Sequence, residues 1–92
     1  ADSVRINKVR KVSSTKAKIT WKSAGNVTGY EIFRKNSGGA YKKIATVSGK
    51  RLSYTNKRLK RRKTYYYMIR AYRVVDGVKV YGKNSAAKKI RM

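Results

Sequence analysis

Leu59-Lys60-Arg61-Arg62-Lys63-Thr64-Tyr65-Tyr66-Tyr67-Met68-Ile69-Arg70-Ala71-Tyr72 is the stretch whose reading decides the fold. From Tyr65 onward the residues alternate at period two. One face carries Tyr65, Tyr67, Ile69 and Ala71, the other Tyr66, Met68, Arg70 and Tyr72. Aromatic and apolar side chains dominate, and neither Gly nor Pro interrupts them, which predicts a long strand with one face fit for burial. Leu59 stands six residues before Tyr65, inside a basic loop. That spacing lets the leucine cap the core while Tyr65 turns its hydroxyl back toward the loop backbone. Sandwich domains use such a corner to satisfy a buried phenol and pin the loop at once.

The rest of the chain repeats the same grammar of short alternating runs and turns. Val4 to Val12 places apolar residues at 4, 6, 9 and 12, steps that strict alternation does not produce; a bulge that re-phases the pleat accounts for them. Ser13-Ser14-Thr15 turns the chain into Ala17-Lys18-Ile19-Thr20-Trp21, where Ile19 and the lone tryptophan point inward. After a loop from Ser23 to Gly29, Tyr30 and Ile32 are inward and Phe33 is on the opposite face. Asn36 to Gly39 closes a hairpin to Tyr41–Val47, and Leu52 to Thr55 is a short strand ahead of the basic loop. Asp76-Gly77, between Val74-Val75 and Val78-Lys79-Val80, is the strongest hairpin signal in the chain. A two-residue turn there sets Val75 opposite Val78, Arg73 opposite Val80, Tyr72 opposite Tyr81 and Ala71 opposite Gly82. Gly82 to Ser85 breaks the last strand, which resumes through Ala87 to Ile90. The expected architecture is all-β: a seven-stranded, two-sheet antiparallel sandwich of the immunoglobulin-like kind, with Trp21, Tyr30, Ile32, Leu59, Tyr65, Tyr67 and Ile69 as its core.

Composition narrows the functional classes. Residues 1–92 suit a single domain, and the chain has no cysteine to supply a disulfide or thiolate metal site. No apolar run approaches a membrane span, and no signal peptide is visible, so an export signal would lie outside this fragment. Charge is the outlier: 26 Lys and Arg against 3 acids, a net +23 that attracts any polyanion. Enzymatic chemistry lacks its parts. There is no histidine, and Asp2, Glu31 and Asp76 fall at the N-terminus, an outward strand position and a hairpin tip. Paired-carboxylate, triad and metal mechanisms are unsupported; no catalytic residue, cofactor or metal ligand is assigned.

Together, Ile19-Thr20-Trp21, Thr28-Gly29-Tyr30-Glu31-Ile32, and Leu59 followed by Tyr65 and then Ala71 at six-residue steps resemble the fibronectin type III domain. Tyr41–Val47 and Ser53-Tyr54-Thr55 are similar to the lysine-rich version found in secreted multidomain proteins of Gram-positive bacteria. The resemblance runs from Val4 to Ile90. It implies strands A, B and E on one sheet and C, C′, F and G on the other. It also implies an extracellular or cell-surface setting and a module excised from a larger chain. Many members carry a glycine three residues before the corner tyrosine; here that position is Arg62, so the turn is either of a different type or places Arg62 at positive φ at some cost. The loop after strand F lacks Arg-Gly-Asp, so nothing points to integrin binding.

Two functional readings follow. One is a non-catalytic spacer, monomeric, whose partners are neighbouring domains of its own chain. The other is a binding module for an anionic cell-wall polymer, an acidic glycan or, non-specifically, nucleic acid. Its candidate contacts form two groups. The first is the basic loop: Lys57, Arg58, Lys60, Arg61, Arg62 and Lys63. The second is an aromatic and basic face on strands C, F and G, comprising Phe33, Arg34, Tyr66, Arg70, Tyr72 and Tyr81, with Met68, Lys79 and Lys83 beside them.

Overall fold

The computed structural model describes residues 3–92; Asp2, read from the sequence as an N-terminal acid, lies outside the described residues. Eight strands form two antiparallel sheets. They are β1 (Ile6–Ser13), β2 (Lys16–Trp21), β3 (Gly29–Asn36), β4 (Lys42–Ser48), β5 (Ser53–Asn56), β6 (Thr64–Val75), β7 (Val78–Tyr81) and β8 (Lys88–Arg91). One sheet has the order β1-β2-β5. The other has the order β4-β3-β6-β7, with β8 also paired to β6. The count is eight because the break after Tyr81 divides the last expected strand into β7 and β8, which pair with opposite halves of β6. Ser85 bridges that break: its N–H donates to the Ile69 carbonyl at 2.7 Å and its hydroxyl accepts from the Ile69 N–H at 2.9 Å.

The register at the Asp76-Gly77 turn is the one the sequence specifies, with Tyr72 opposite Tyr81 and Val75 opposite Val78. Gly82 N–H then bonds the Ala71 carbonyl at 2.9 Å. Both turn residues have positive φ, 52° and 77°, as a two-residue hairpin matched to strand twist requires. The ladder between β1 and β2 shifts twice, between Ile6 and Lys8 and between Lys11 and Ser13. Those shifts re-phase the pleat so that Val4 and Ile6 are buried and Val9 packs against the core, but Val12, expected with them, lies at the second shift and is exposed.

Inward-facing residues of both sheets meet in one core. Ile19 and Trp21 from β2 lie against Tyr30 and Ile32 from β3 and against Tyr65, Tyr67, Ile69 and Ala71 from β6. Trp21 meets Tyr30 edge-on at 5.5 Å between ring centroids. Each fully buried large apolar side chain contributes about 1.5–3 kcal/mol. Two tyrosine hydroxyls inside are held, while the buried indole N–H of Trp21 finds no partner: the Tyr30 hydroxyl accepts from the Ala24 N–H at 3.0 Å. Tyr67 donates to the Asn56 Oδ1 at 2.8 Å, and burial pushes its hydroxyl well above the ordinary tyrosine range.

The two sheets define two poles. At one, Ile6 pairs with Trp21 and the Trp21 backbone N–H donates to the Leu52 carbonyl. At the other, the Ser14-Thr15 turn, the loop before β6 and Met92 come together: Leu59 N–H donates to the Thr15 carbonyl and Met92 N–H to the Lys63 carbonyl, each at 2.8 Å. The chain therefore enters near one end and leaves near the other of a body 44 × 23 × 19 Å in extent.

Candidate anion-binding surfaces

The loop from Lys57 to Lys63 is fastened at its centre. Leu59 is 2% exposed and inserts into the core. Lys60 N–H donates to the Tyr65 hydroxyl at 2.8 Å, so the corner belongs to Tyr65 and not to its two tyrosine neighbours. Arg58 and Arg62 occupy the left-handed region at φ 60° and 63°, a conformation that costs a non-glycine residue about 1–2 kcal/mol. The corner and the two backbone anchors hold it there. Around this frame Lys57, Arg58, Lys60, Arg61, Arg62 and Lys63 are all exposed. Arg61 alone makes a side-chain bond, donating to the Ser14 hydroxyl at 3.3 Å. The loop thus combines a fixed backbone with six projecting cations.

On the outer side of the five-stranded sheet the structure gathers Phe33, Tyr66, Met68, Arg70, Tyr72 and Tyr81, since Phe33 pairs with Met68 and Tyr72 with Tyr81. Two expectations require correction. Arg34 is not on this face: it follows Phe33 directly in a regular strand, so the pleat turns it the other way. It pairs with Tyr67, donates to the Asn56 Oδ1 at 2.9 Å and lies 5.3 Å over the Tyr65 ring. Glu31 has the outward phase assigned to it but is 0% exposed. Cations from three strands enclose it. Arg70 Nη2 is 2.8 Å and its Nε 2.9 Å from Glu31 Oε1, while Lys79 and Lys43 stand 3.4 and 3.5 Å from Oε2. Burial alone would raise this carboxyl, but the hydrogen bond and charge of Arg70, with Lys43 and Lys79 beside it, outweigh burial and hold it below its ordinary value.

The cations of that cage are stacked as well. Arg70 lies 3.7 Å from the Tyr81 ring centroid and 5.1 Å from that of Phe33, and Lys79 lies 4.5 Å from Tyr72. Lys35 sits over both Tyr41 and Tyr66 at 5.2 and 5.1 Å. The aromatic face is therefore occupied by the protein's own cations, and an incoming base or sugar has to displace them. Lys83 is exposed in the break between β7 and β8. Lys43, Lys35 and Tyr41 were not among the sequence candidates; only the pairing of β3 with β4 and β6 brings them to the site. Among the described residues no group of three or more potential metal ligands converges.

The fibronectin type III domain profile matches residues 2–85, nearly the whole chain. The chain belongs to the fibronectin type III family. Solved structures share its fold at low identity. The sixth fibronectin type III domain of human fibronectin type III domain containing protein 3 superposes with a TM-score of 0.78 at 23% identity, over 98% of this chain and 83% of that one. The FN1–FN3 domains of chicken CNTN1 give 0.78 at 22%, over 96% of this chain and 31% of theirs. The domain from human collagen XX gives 0.71 at 17%, over 100% of this chain and 92% of that one. A search of curated proteins finds no match. In the fibronectin type III family the sandwich is a module of multidomain chains, and the two-sheet pairing seen here is that module.

Proposed function

We propose that this fibronectin type III domain is a non-catalytic spacer in an extracellular or cell-surface multidomain protein, of the lysine-rich kind found in Gram-positive bacteria. It works as a monomer flanked by other domains of its own chain. The observation that carries this reading is the placement of the chain ends at opposite poles of a body 44 Å long. Such a body inserts a fixed separation between whatever precedes and follows it. Of the two carboxylates among the described residues, Glu31 is sealed in its cage and Asp76 caps a hairpin, which supports the absence of chemistry. The test is replacement within the parent chain. An uncharged sandwich module of equal length should preserve the parent's activity, and a Gly/Ser linker of the same residue count, a flexible coil, should not. Loss of activity with the uncharged sandwich would overturn the spacer reading.

A second reading, binding of an anionic polymer, is favoured by one specific observation. All three ion pairs among the described residues end on Glu31, which leaves most of the chain's 26 cations without an acidic partner.

A further inference from the structure

The unpaired cations are not spread evenly, and the outer face of the three-stranded sheet holds an ordered set. With Ala17, Ile19 and Trp21 buried, alternation turns Lys16, Lys18 and Thr20 of β2 outward. Lys8 and Arg10 of β1 stand opposite Thr20 and Lys18, and Thr55 and Ser53 of β5 stand opposite Lys18 and Thr20 from the other side. Lys8, Arg10, Lys18 and Thr20 line a groove of about 270 Å³. Arg10 and Lys18 are direct cross-strand partners of like charge, an arrangement that destabilises a sheet. No acid among the described residues lies on this sheet. Among the described residues no acid compensates the pair, in contrast to the caged cations of the other face.

Resting on the polyanion reading, the geometry points to this face as the track for a linear phosphate polymer that carries no bases. Anions seated between Arg10, Lys18 and Lys8 supply the missing countercharge, and the hydroxyl of Thr55 adds a neutral donor beside them, while that of Thr20 donates to the Lys8 carbonyl at 3.5 Å. Guanidinium and ammonium groups in rows about 6.5–7 Å apart along each strand suit repeated phosphates on an extended chain. Bases are excluded because the face bears no aromatic side chain, and single-stranded nucleic acids draw much of their affinity from stacking. The track continues past the end of the sheet. Lys57 follows β5 directly, and Arg61 is bonded to Ser14 in the turn between β1 and β2. The basic loop is thus the continuation of the track at the pole where the chain leaves.

The experiment measures binding of the isolated domain to fluorescently labelled long-chain polyphosphate between 50 and 200 mM salt. Heparin and a single-stranded oligonucleotide serve as competitors. The variant K8Q/R10Q/K18Q should bind at least tenfold more weakly at the lower salt. It should also lose about two from the slope of log K against log salt, at about 0.7 per phosphate contact. The variant K83Q/K89Q/R91Q removes the same charge from exposed positions elsewhere and should change affinity less than threefold. Equal losses in both variants would overturn the track in favour of diffuse net charge, and a larger loss in the second would place the site on the wrong sheet. Displacement by the oligonucleotide or heparin at tenfold lower concentration than by polyphosphate would overturn the polymer class. If none of the three polymers binds at 50 mM salt, the polyanion reading itself fails and the spacer reading is untouched.

Discussion

Glu31→Gln removes the one carboxylate that three cations surround, and its cost can be worked from the cage. Taking one partner from a buried ion pair costs about 3–5 kcal/mol, because a charge is left without compensation. Here the survivors keep contact with water: the side chains of Arg70, Lys79 and Lys43 are 29%, 42% and 48% exposed. Part of the released charge is rehydrated, which lowers the expected cost to about 2–3 kcal/mol. Gln retains an oxygen for Arg70, yet turns an amide NH₂ toward Lys43 or Lys79 that neither can accept. For a domain of this size the loss corresponds to a Tm drop of about 8–24 °C. Urea and thermal unfolding at pH 7 and low salt measure it, and raising the salt should narrow the gap by screening the three cations from one another. The pH dependence has a defined sign. The folded protein holds the Glu31 carboxyl below its ordinary value of 4.5, so its contribution is present above that value and is lost as pH falls through the lower folded-state value. Wild type should therefore lose this increment in acid, and Glu31→Gln should lack that limb. A variant within about 0.5 kcal/mol of wild type at pH 7 would mean that the cage only balances the desolvation of its carboxylate, and would refute the reasoning.

Three further outcomes test the frame around the site. Tyr65→Phe removes the acceptor of the Lys60 N–H and should cost about 0.5–1.5 kcal/mol, while Tyr66→Phe should cost almost nothing; equal effects in denaturant titrations would place the corner elsewhere. Gly49→Ala should destabilise by about 2–3 kcal/mol, because a Cβ there would stand 2.1 Å from the Val27 carbonyl oxygen. Gly39→Ala, whose Cβ would meet nothing closer than 3.5 Å, is the control. Arg62→Gly should stabilise by about 0.5 kcal/mol, the relief of left-handed strain exceeding the added freedom of the unfolded chain; a loss on urea unfolding would show that the loop is not held at positive φ.

The fold was legible because its signals are local. Period-two alternation in Tyr65–Ala71 identifies the buried face of β6, and Asp76-Gly77 specifies a hairpin register to the residue. The uneven steps at Val4, Ile6 and Val9 record the first bulge of β1, but Val12, at the second, is 53% exposed. The candidate site was less legible, for two different physical reasons. Arg34 could have been placed correctly, because adjacent residues of a regular strand cannot share a face with one another, and Phe33 was already outward. Glu31 could not. Its phase is outward, and its burial depends on Lys43, Arg70 and Lys79, which reach it only after β4, β6 and β7 have assembled beside β3. The track on the three-stranded sheet is likewise invisible in any one segment, since its like-charge partners come from two strands whose register is shifted by bulges.

Because the chain enters and leaves at opposite poles, tension applied between its two ends would run lengthwise along β1 and β8. Each ladder then resists by shear, with its hydrogen bonds loaded together instead of opening one after another. The two are not equally strong: β1 holds six paired residues to β2, and β8 only four to β6. Under load β8 is the element that yields first. The β6–β7 ladder and the Glu31 cage lie beyond the half of β6 that β8 pairs with, so they stay closed as it departs, while Tyr65, Tyr66 and Tyr67 keep only their β3 partners. A pulled module would first release this short C-terminal segment, and because Met92 belongs to the core and Ile90 packs against it, the core would begin to open from that pole.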